Sequence, residues 1–197
     1  KQKSLVFISV EQATDMNISS GTSSNPILRI NLKVSGNSGS FPLNSLVVNS
    51  LNTDDADIEA GGVKLYLTQD VDFNTDHPIG SGVSFSGGVA SFTGLNYTLP
   101  TGYSYIWVAY DVKAEAGHRN VVDAKLAANS ININGQQYMA AEQSPAGSRE
   151  ILRTLYSDDF ESGLGWTLSG EFEYDRPNGL GGSQGNSDPA SAYSGTY

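Results

Sequence analysis

The amino-acid sequence predicts an all-β protein built as an antiparallel β-sandwich, and three observations carry that expectation. In residues 27–34, Leu28, Ile30, Leu32 and Val34 point one way while Arg29, Asn31 and Lys33 point the other. A period of two is what a half-exposed strand requires. Gly87-Gly88 and Asn134-Gly135 each separate two short β-type runs, as a two-residue hairpin turn does where the backbone needs positive φ. Composition agrees: 22 glycines, 16% charged residues and no apolar pattern that holds a helical period across three turns.

Taken in order, residues 5–10 form a first expected strand and residues 11–25 a polar connection. The strand at 27–34 follows, then the turn Gly36-Asn37-Ser38-Gly39 and a strand at 43–51. Residues 53–58, Thr-Asp-Asp-Ala-Asp-Ile, place Asp and Thr where a short helical turn or loop wants caps. Alternation resumes at 63–68 with Val63, Leu65 and Leu67 inward. Beyond the two hairpin signals, residues 121–128 alternate through Val122, Ala124, Leu126 and Ala128. Nine or ten short strands at a spacing of about 8–12 residues match a sandwich.

Residues 103–113, YSYIWVAYDVK, are apolar on both alternating faces: Tyr105, Trp107 and Ala109 on one, Ile106, Val108, Tyr110 and Val112 on the other. A strand covered on both faces belongs in the middle of a sheet, and Trp107 and its neighbouring tyrosines are accordingly expected in the core rather than on a binding platform. Leu99 and Tyr105 stand six apart across Pro100-Thr101-Gly102. That arrangement resembles the tyrosine corner of immunoglobulin-like and fibronectin-type domains, with a plain buried tyrosine as the alternative. The expected fold of residues 1–153 is thus an immunoglobulin-like antiparallel β-sandwich.

Charge and cysteine usage narrow the function. A formal charge of −10 with only 11 Lys and Arg, nowhere clustered, argues against a nucleic-acid partner. Cysteine is absent, which removes disulfides, thiolate zinc sites and cysteine nucleophiles. No apolar run approaches the ~20 residues of a spanning helix, so no transmembrane segment is expected. Lys1-Gln2-Lys3-Ser4 leads into alternation rather than a signal-peptide core, as in a mature or excised piece. His77 and His118 both fall in expected loops, and no Gly-x-Ser-x-Gly elbow accompanies them.

After residues 144–148, Ser-Pro-Ala-Gly-Ser, the chain changes character. Residues 154–197 carry Asp158, Asp159, Glu161, Glu171, Glu173, Asp175 and Asp188 against Arg176 alone, with Phe160, Trp166, Phe172, Tyr174, Tyr193 and Tyr197. Forty-four residues rarely support a core without disulfides or metal. The expected organisation is therefore residues 1–153 as a β-sandwich accessory domain and 154–197 as the start of a second, truncated β-domain.

Residues 26–30 (Pro-Ile-Leu-Arg-Ile), 56–58 (Ala-Asp-Ile), 63–66 (Val-Lys-Leu-Tyr) and 105–112 (Tyr-Ile-Trp-Val-Ala-Tyr-Asp-Val) resemble the N-terminal accessory domain of BNR-repeat sialidase-type proteins exported by Bacteroidetes. Residues 159–163 with Gly165-Trp166, then 187–189 and 192–196, resemble the opening of a MAM-like or jelly-roll domain. The resemblance implies a non-catalytic structural, adhesion or domain-docking module of a secreted or cell-surface protein. Its partners would be other domains of the parent chain, a glycan, or another surface or secretion protein. A carbohydrate-binding module serving a glycoside hydrolase elsewhere in the parent is the second reading. Sialidase chemistry is not expected here, because residues 162–166, Ser-Gly-Leu-Gly-Trp, lack the aspartate of the Ser-x-Asp-x-Gly-x-x-Trp box.

No cofactor is required on this reading. Calcium is the candidate structural ion, since loop carboxylates suit a hard cation. Asp158, Asp159 and Glu161 resemble the place where jelly-roll domains hold it. Two further clusters, Asp54, Asp55, Asp57 and Glu59, and Asp70, Asp72, Asn74 and Asp76, are weighed against solvated turns. The second lacks the EF-hand glycine and glutamate, with Thr75 and Ser81 in those places. Trp166, Phe172 and Tyr174 are the aromatics weighed as a sugar-binding face against core packing.

Overall fold

In the computed structural model, which describes residues 1–155, the chain runs through thirteen strands. They are β1 (Ser4–Gln12), β2 (Ile18–Ser19), β3 (Asn25–Ser35), β4 (Pro42–Ser50), β5 (Ile58–Thr68), β6 (Val89–Phe92) and β7 (Tyr97–Thr98). After these come β8 (Gly102–Val112), β9 (Val121–Val122), β10 (Ala124–Lys125), β11 (Ile131–Ile133), β12 (Gln136–Tyr138) and β13 (Arg149–Leu152). One 3-10 turn, Asp55–Asp57, precedes β5, and the described residues contain no α-helix. The protein is all-β. Residues 1–153 make one compact unit.

The alternation of β3 sets the layers. Leu28, Ile30, Leu32 and Val34 are each at most 1% exposed, and burying a side chain of this size contributes about 1.5–3 kcal/mol. They belong to one cluster with Leu43, Leu46 and Val48 of β4, Val63, Leu65 and Leu67 of β5, and Ile106, Val108, Tyr110 and Val112 of β8. That cluster is the interior of a sandwich.

One sheet has the order β1-β3-β8-β5, with every neighbour antiparallel. β8 is therefore an inner strand, as its two apolar faces require. In the second sheet β4 is central: β6 and β7 pair along one side, β10 and β11 along the other, and β12 follows β11. A smaller sheet, β2-β13-β9, includes the parallel pair β2–β13.

Local chemistry explains most boundaries. Asn134 and Gly135, at φ 51° and 79°, close the β11–β12 hairpin where its turn demands left-handed backbone. Gly36, at φ 90°, ends β3. A Cβ there would strike the carbonyl oxygen of Gln2, so glycine lets the chain start pack close, with Asn37 and Ser38 both donating to the Lys1 carbonyl. The Gly87-Gly88 turn forms as well, but it is flanked by an isolated Ser86–Val89 bridge rather than a full hairpin. The preceding residues turn away because Val83 bridges β5 at Val63. Alternation at 121–128 breaks into β9 and β10 around buried Asp123, and Ala128 is exposed.

Candidate functional site

Antiparallel register places the outer-facing residues of the β1-β3-β8-β5 sheet in three cross-strand rows. They are Glu11–Arg29–Trp107–Tyr66, Ser9–Asn31–Tyr105–Thr68 and Phe7–Lys33–Tyr103. Each row sets a β3 polar residue against a β8 aromatic. Side chains opposite one another across a strand pair are close enough to interact directly.

The first row is sealed at Trp107 and Tyr66. Trp107 is 3% exposed and packs with Tyr66 and Ala109 in a cluster separate from the sandwich interior, joined by Phe73, Tyr105 and Ala13. Residues 69–77 lay Phe73 over it, with ring centroids 5.4 Å from Trp107 and 5.7 Å from Tyr66, both edge-on. Arg29 closes the remaining side, 5.3 Å from the Trp107 centroid and 5.4 Å from that of Tyr105, a cation–π arrangement. Arg29 Nη1 also donates to the Val71 carbonyl at 3.3 Å. Trp107 Nε1 donates to Thr68 Oγ1 at 2.9 Å, and that hydroxyl donates to the Asp70 carbonyl at 2.7 Å. The indole is satisfied and dry.

Its placement corrects the expectation that Trp107 and its neighbouring tyrosines lie in the core. Trp107 is buried, but on the opposite face of the sheet, Tyr105 lies on that face with it and Tyr103 is 51% exposed, whereas Tyr110 is in the interior. The tyrosine-corner expectation fails for the same reason. Leu99 is in the interior, while Tyr105 faces outward and its hydroxyl takes no hydrogen-bond partner among the described residues.

The third row is open. Phe7 is 47% and Tyr103 51% exposed. Lys33 lies between them, its Nζ 4.5 Å from the Tyr103 centroid and donating to the Tyr103 hydroxyl at 3.2 Å. Lys33 forms no ion pair with a carboxylate among the described residues. The middle row, Ser9, Asn31 and Tyr105, is half-buried and grades one end into the other.

Carboxylates on this face are tied down. Glu11 accepts from Asn31 Nδ2 and pairs with Arg29 at 2.9 Å; the Asn31 bond first and the Arg29 bond second hold its carboxyl below the usual range. Asp111 accepts from the Ser24 amide at 2.7 Å and pairs with Lys64 at 2.5 Å, a bond that raises the Lys64 ammonium above its usual value. Beside that pair lies an open cleft of about 150 Å³ lined by Lys64, Leu65, Tyr66, Pro78, Gly80 and Gly82. It is well below the ~300–1,000 Å³ of small-molecule sites.

Most of the other sequence candidates have structural employment where they are described, and Glu59, Asp72 and Asp76 are exposed. Asp54 caps the 3-10 turn by accepting from the Ala56 amide, and Asp55 accepts from the Gly88 amide. Asp57 accepts from the Gly117 amide and Asn120 Nδ2. Asp70 and Asn74 each accept from the amide two residues on. No group of three or more His, Asp or Glu side chains among the described residues converges on a metal position. His118 Nδ1 accepts from the Arg153 amide, and the His77 carbonyl accepts from the Leu67 amide. Asp158, Asp159 and Glu161, with Trp166, Phe172 and Tyr174, lie outside the described residues.

Sequence reading missed the Phe7–Lys33–Tyr103 row. The signal was present in the polar face of β3: whatever stands opposite Arg29, Asn31 and Lys33 must share their solvent side. No protein-family model matches the chain, and no curated protein compared with it gives a significant match.

Proposed function

We propose that residues 1–153 are a non-catalytic docking or adhesion module of a multidomain secreted or cell-surface bacterial protein. The module would present the open end of its outer sheet face to a partner. The observation that carries this reading is the exposed Phe7–Lys33–Tyr103 row, two half-exposed aromatics flanking a cation on a rigid sheet. Exposed Phe and Tyr are residue types enriched at binding surfaces. The resemblance to accessory domains of exported sialidase-type proteins supports the same role. On this reading the partner is another domain of the parent chain. The melting temperature of the module should then rise inside the longer parent, and Tyr103→Ala should remove the rise; equal melting of module and parent would count against docking.

A second reading, a carbohydrate-binding module for a glycoside hydrolase elsewhere in the parent, is favoured by one feature. Tyr103 and Tyr105 lie beside the polar Ser9 and Asn31 on one sheet face, suiting a sugar ring that needs stacking and hydrogen bonds together. A glycan array decides it: reproducible binding lost in Tyr103→Ala selects this reading, and no binding to any glycan removes it. Hydrolysis of a sialoside by the purified chain would overturn both.

A further inference from the structure

The two sides of the β1-β3-β8-β5 sheet end differently. Along β5 the edge is closed by residues 77–83. The Leu67 amide donates to the His77 carbonyl at 2.9 Å, the Ile79 amide to the Leu65 carbonyl at 2.8 Å, and Val63 and Val83 exchange both backbone bonds at 2.9 Å. Along β1 nothing comparable is present: the strand pairs with β3 alone among the described residues.

Sequence makes that open edge unusual. Residues 4–10, Ser-Leu-Val-Phe-Ile-Ser-Val, hold no charge, proline or glycine. Of the devices that block further strand pairing at an open edge, charges, proline and a bulge among them, β1 has the bulge alone, and short uncharged β-formers are the segments that add strands most readily. A bulge between Leu5 and Phe7 leaves Val6 59% and Phe7 47% exposed. Charges stand only at the ends: Lys1 and Lys3 before the segment, Glu11 after it. The Glu11 side chain keeps 47% exposure while paired with Arg29.

We propose that β1 is a homotypic strand-pairing site at which a second copy of this chain adds its own β1 antiparallel, joining the two four-stranded sheets across the edge. Antiparallel pairing sets the Lys1 end of each copy beside Glu11 of the other, twice over, with the uncharged segments between them, while Lys3 Nζ stays on the Leu99 carbonyl of its own chain at 2.8 Å. Parallel pairing would set lysines beside lysines. The contact uses the same edge of both copies, so it is isologous and stops at two. It does not depend on the outer face proposed above as a docking surface.

Sedimentation equilibrium on the 197-residue chain tests it. The expected mass climbs with concentration from 20.9 kDa towards about double, the closure expected of a twofold pair. Val6→Lys should hold the chain at monomer mass, whereas Val6→Thr, which keeps an uncharged β-former, should still pair. Since Val6 faces solvent, Val6→Lys should leave the melting temperature unmoved at a concentration where the wild type is itself monomeric. If Val6→Lys does lower it, hydrogen exchange on the wild type replaces the variant: β1 amides should slow as concentration rises, and unchanged rates would overturn the proposal. A monomer at every concentration, growth beyond two copies, or a dimer that survives Val6→Lys would each overturn it. A dimer lost in Tyr103→Ala but kept in Val6→Lys would assign association to the outer face instead.

Discussion

The two ends of one sheet face, which share β1, β3 and β8 while only the first reaches Tyr66 of β5, have opposite fates. At one end Trp107 lies under Phe73 and Arg29 and is 3% exposed; at the other Tyr103 is 51% exposed beside Lys33. Both aromatics sit on β8 opposite a cation of β3. The difference is the loop of residues 69–77, which reaches the first end and not the second. A cation over an aromatic is therefore part of a small satellite core where a third element excludes water, and an accessible surface feature where none does.

The largest test of that contrast is stability. Trp107→Ala should cost about 3–5 kcal/mol in chemical denaturation, because it empties a sealed cluster and leaves Thr68 without its donor. Tyr103→Ala should change stability by less than about 0.5 kcal/mol. Similar costs at the two positions would erase the distinction.

Removing the cover converts one end towards the other. Phe73→Ala should cost roughly 1–2 kcal/mol, since a half-buried ring loses its area and two edge-on contacts of about 0.5–1.5 kcal/mol each in favourable cases. In a Trp166→Phe background, which leaves Trp107 as the single indole, its fluorescence should shift to the red. An unshifted spectrum would mean that residues 69–77 are not what keeps Trp107 dry.

Acid separates surface from interior by sign. Glu11, lowered by Asn31 and Arg29, contributes stability that is present above its unfolded value of about 4.3 and lost as pH falls through the lower folded value. Being half exposed, it should contribute under about 1 kcal/mol, and Glu11→Gln should flatten that part of the pH–stability curve. Asp123 behaves oppositely, because burial raises its carboxyl. The folded state binds its proton more tightly, so stability falls as pH rises from about 3.9 through the raised value. Asp123→Asn, which keeps a side-chain oxygen for the Ala124 amide, should remove that fall. A curve unmoved by either substitution would put the titrating groups elsewhere.

Much of the sandwich was legible because strand parity is a local property. The inward residues Leu28, Ile30, Leu32, Val34, Val63, Leu65 and Leu67 are the ones the alternation named, and all are buried. The inner position of β8 followed from apolar residues on both its faces. The side on which Trp107 lies did not, because an indole under a loop and an indole in the interior leave the same apolar run. Only the register with Arg29 separates them. The carboxylate cluster at 54–59 is weighed as an ion site against a turn because the partners that occupy Asp57, Gly117 and Asn120, lie sixty or more residues away; at 70–76 the partners of Asp70 and Asn74 are local, two residues on.

By itself the sequence determined the all-β class, the alternating strands and the turns at Gly36 and Asn134-Gly135, because these depend on backbone preference and a period of two. Tertiary structure alone decided which half of an aromatic–cation face is sealed and which edge of the sheet is left open. Both outcomes rest on where distant segments, 69–77 and 77–83, come to lie, and no local pattern in β1, β3 or β8 encodes that.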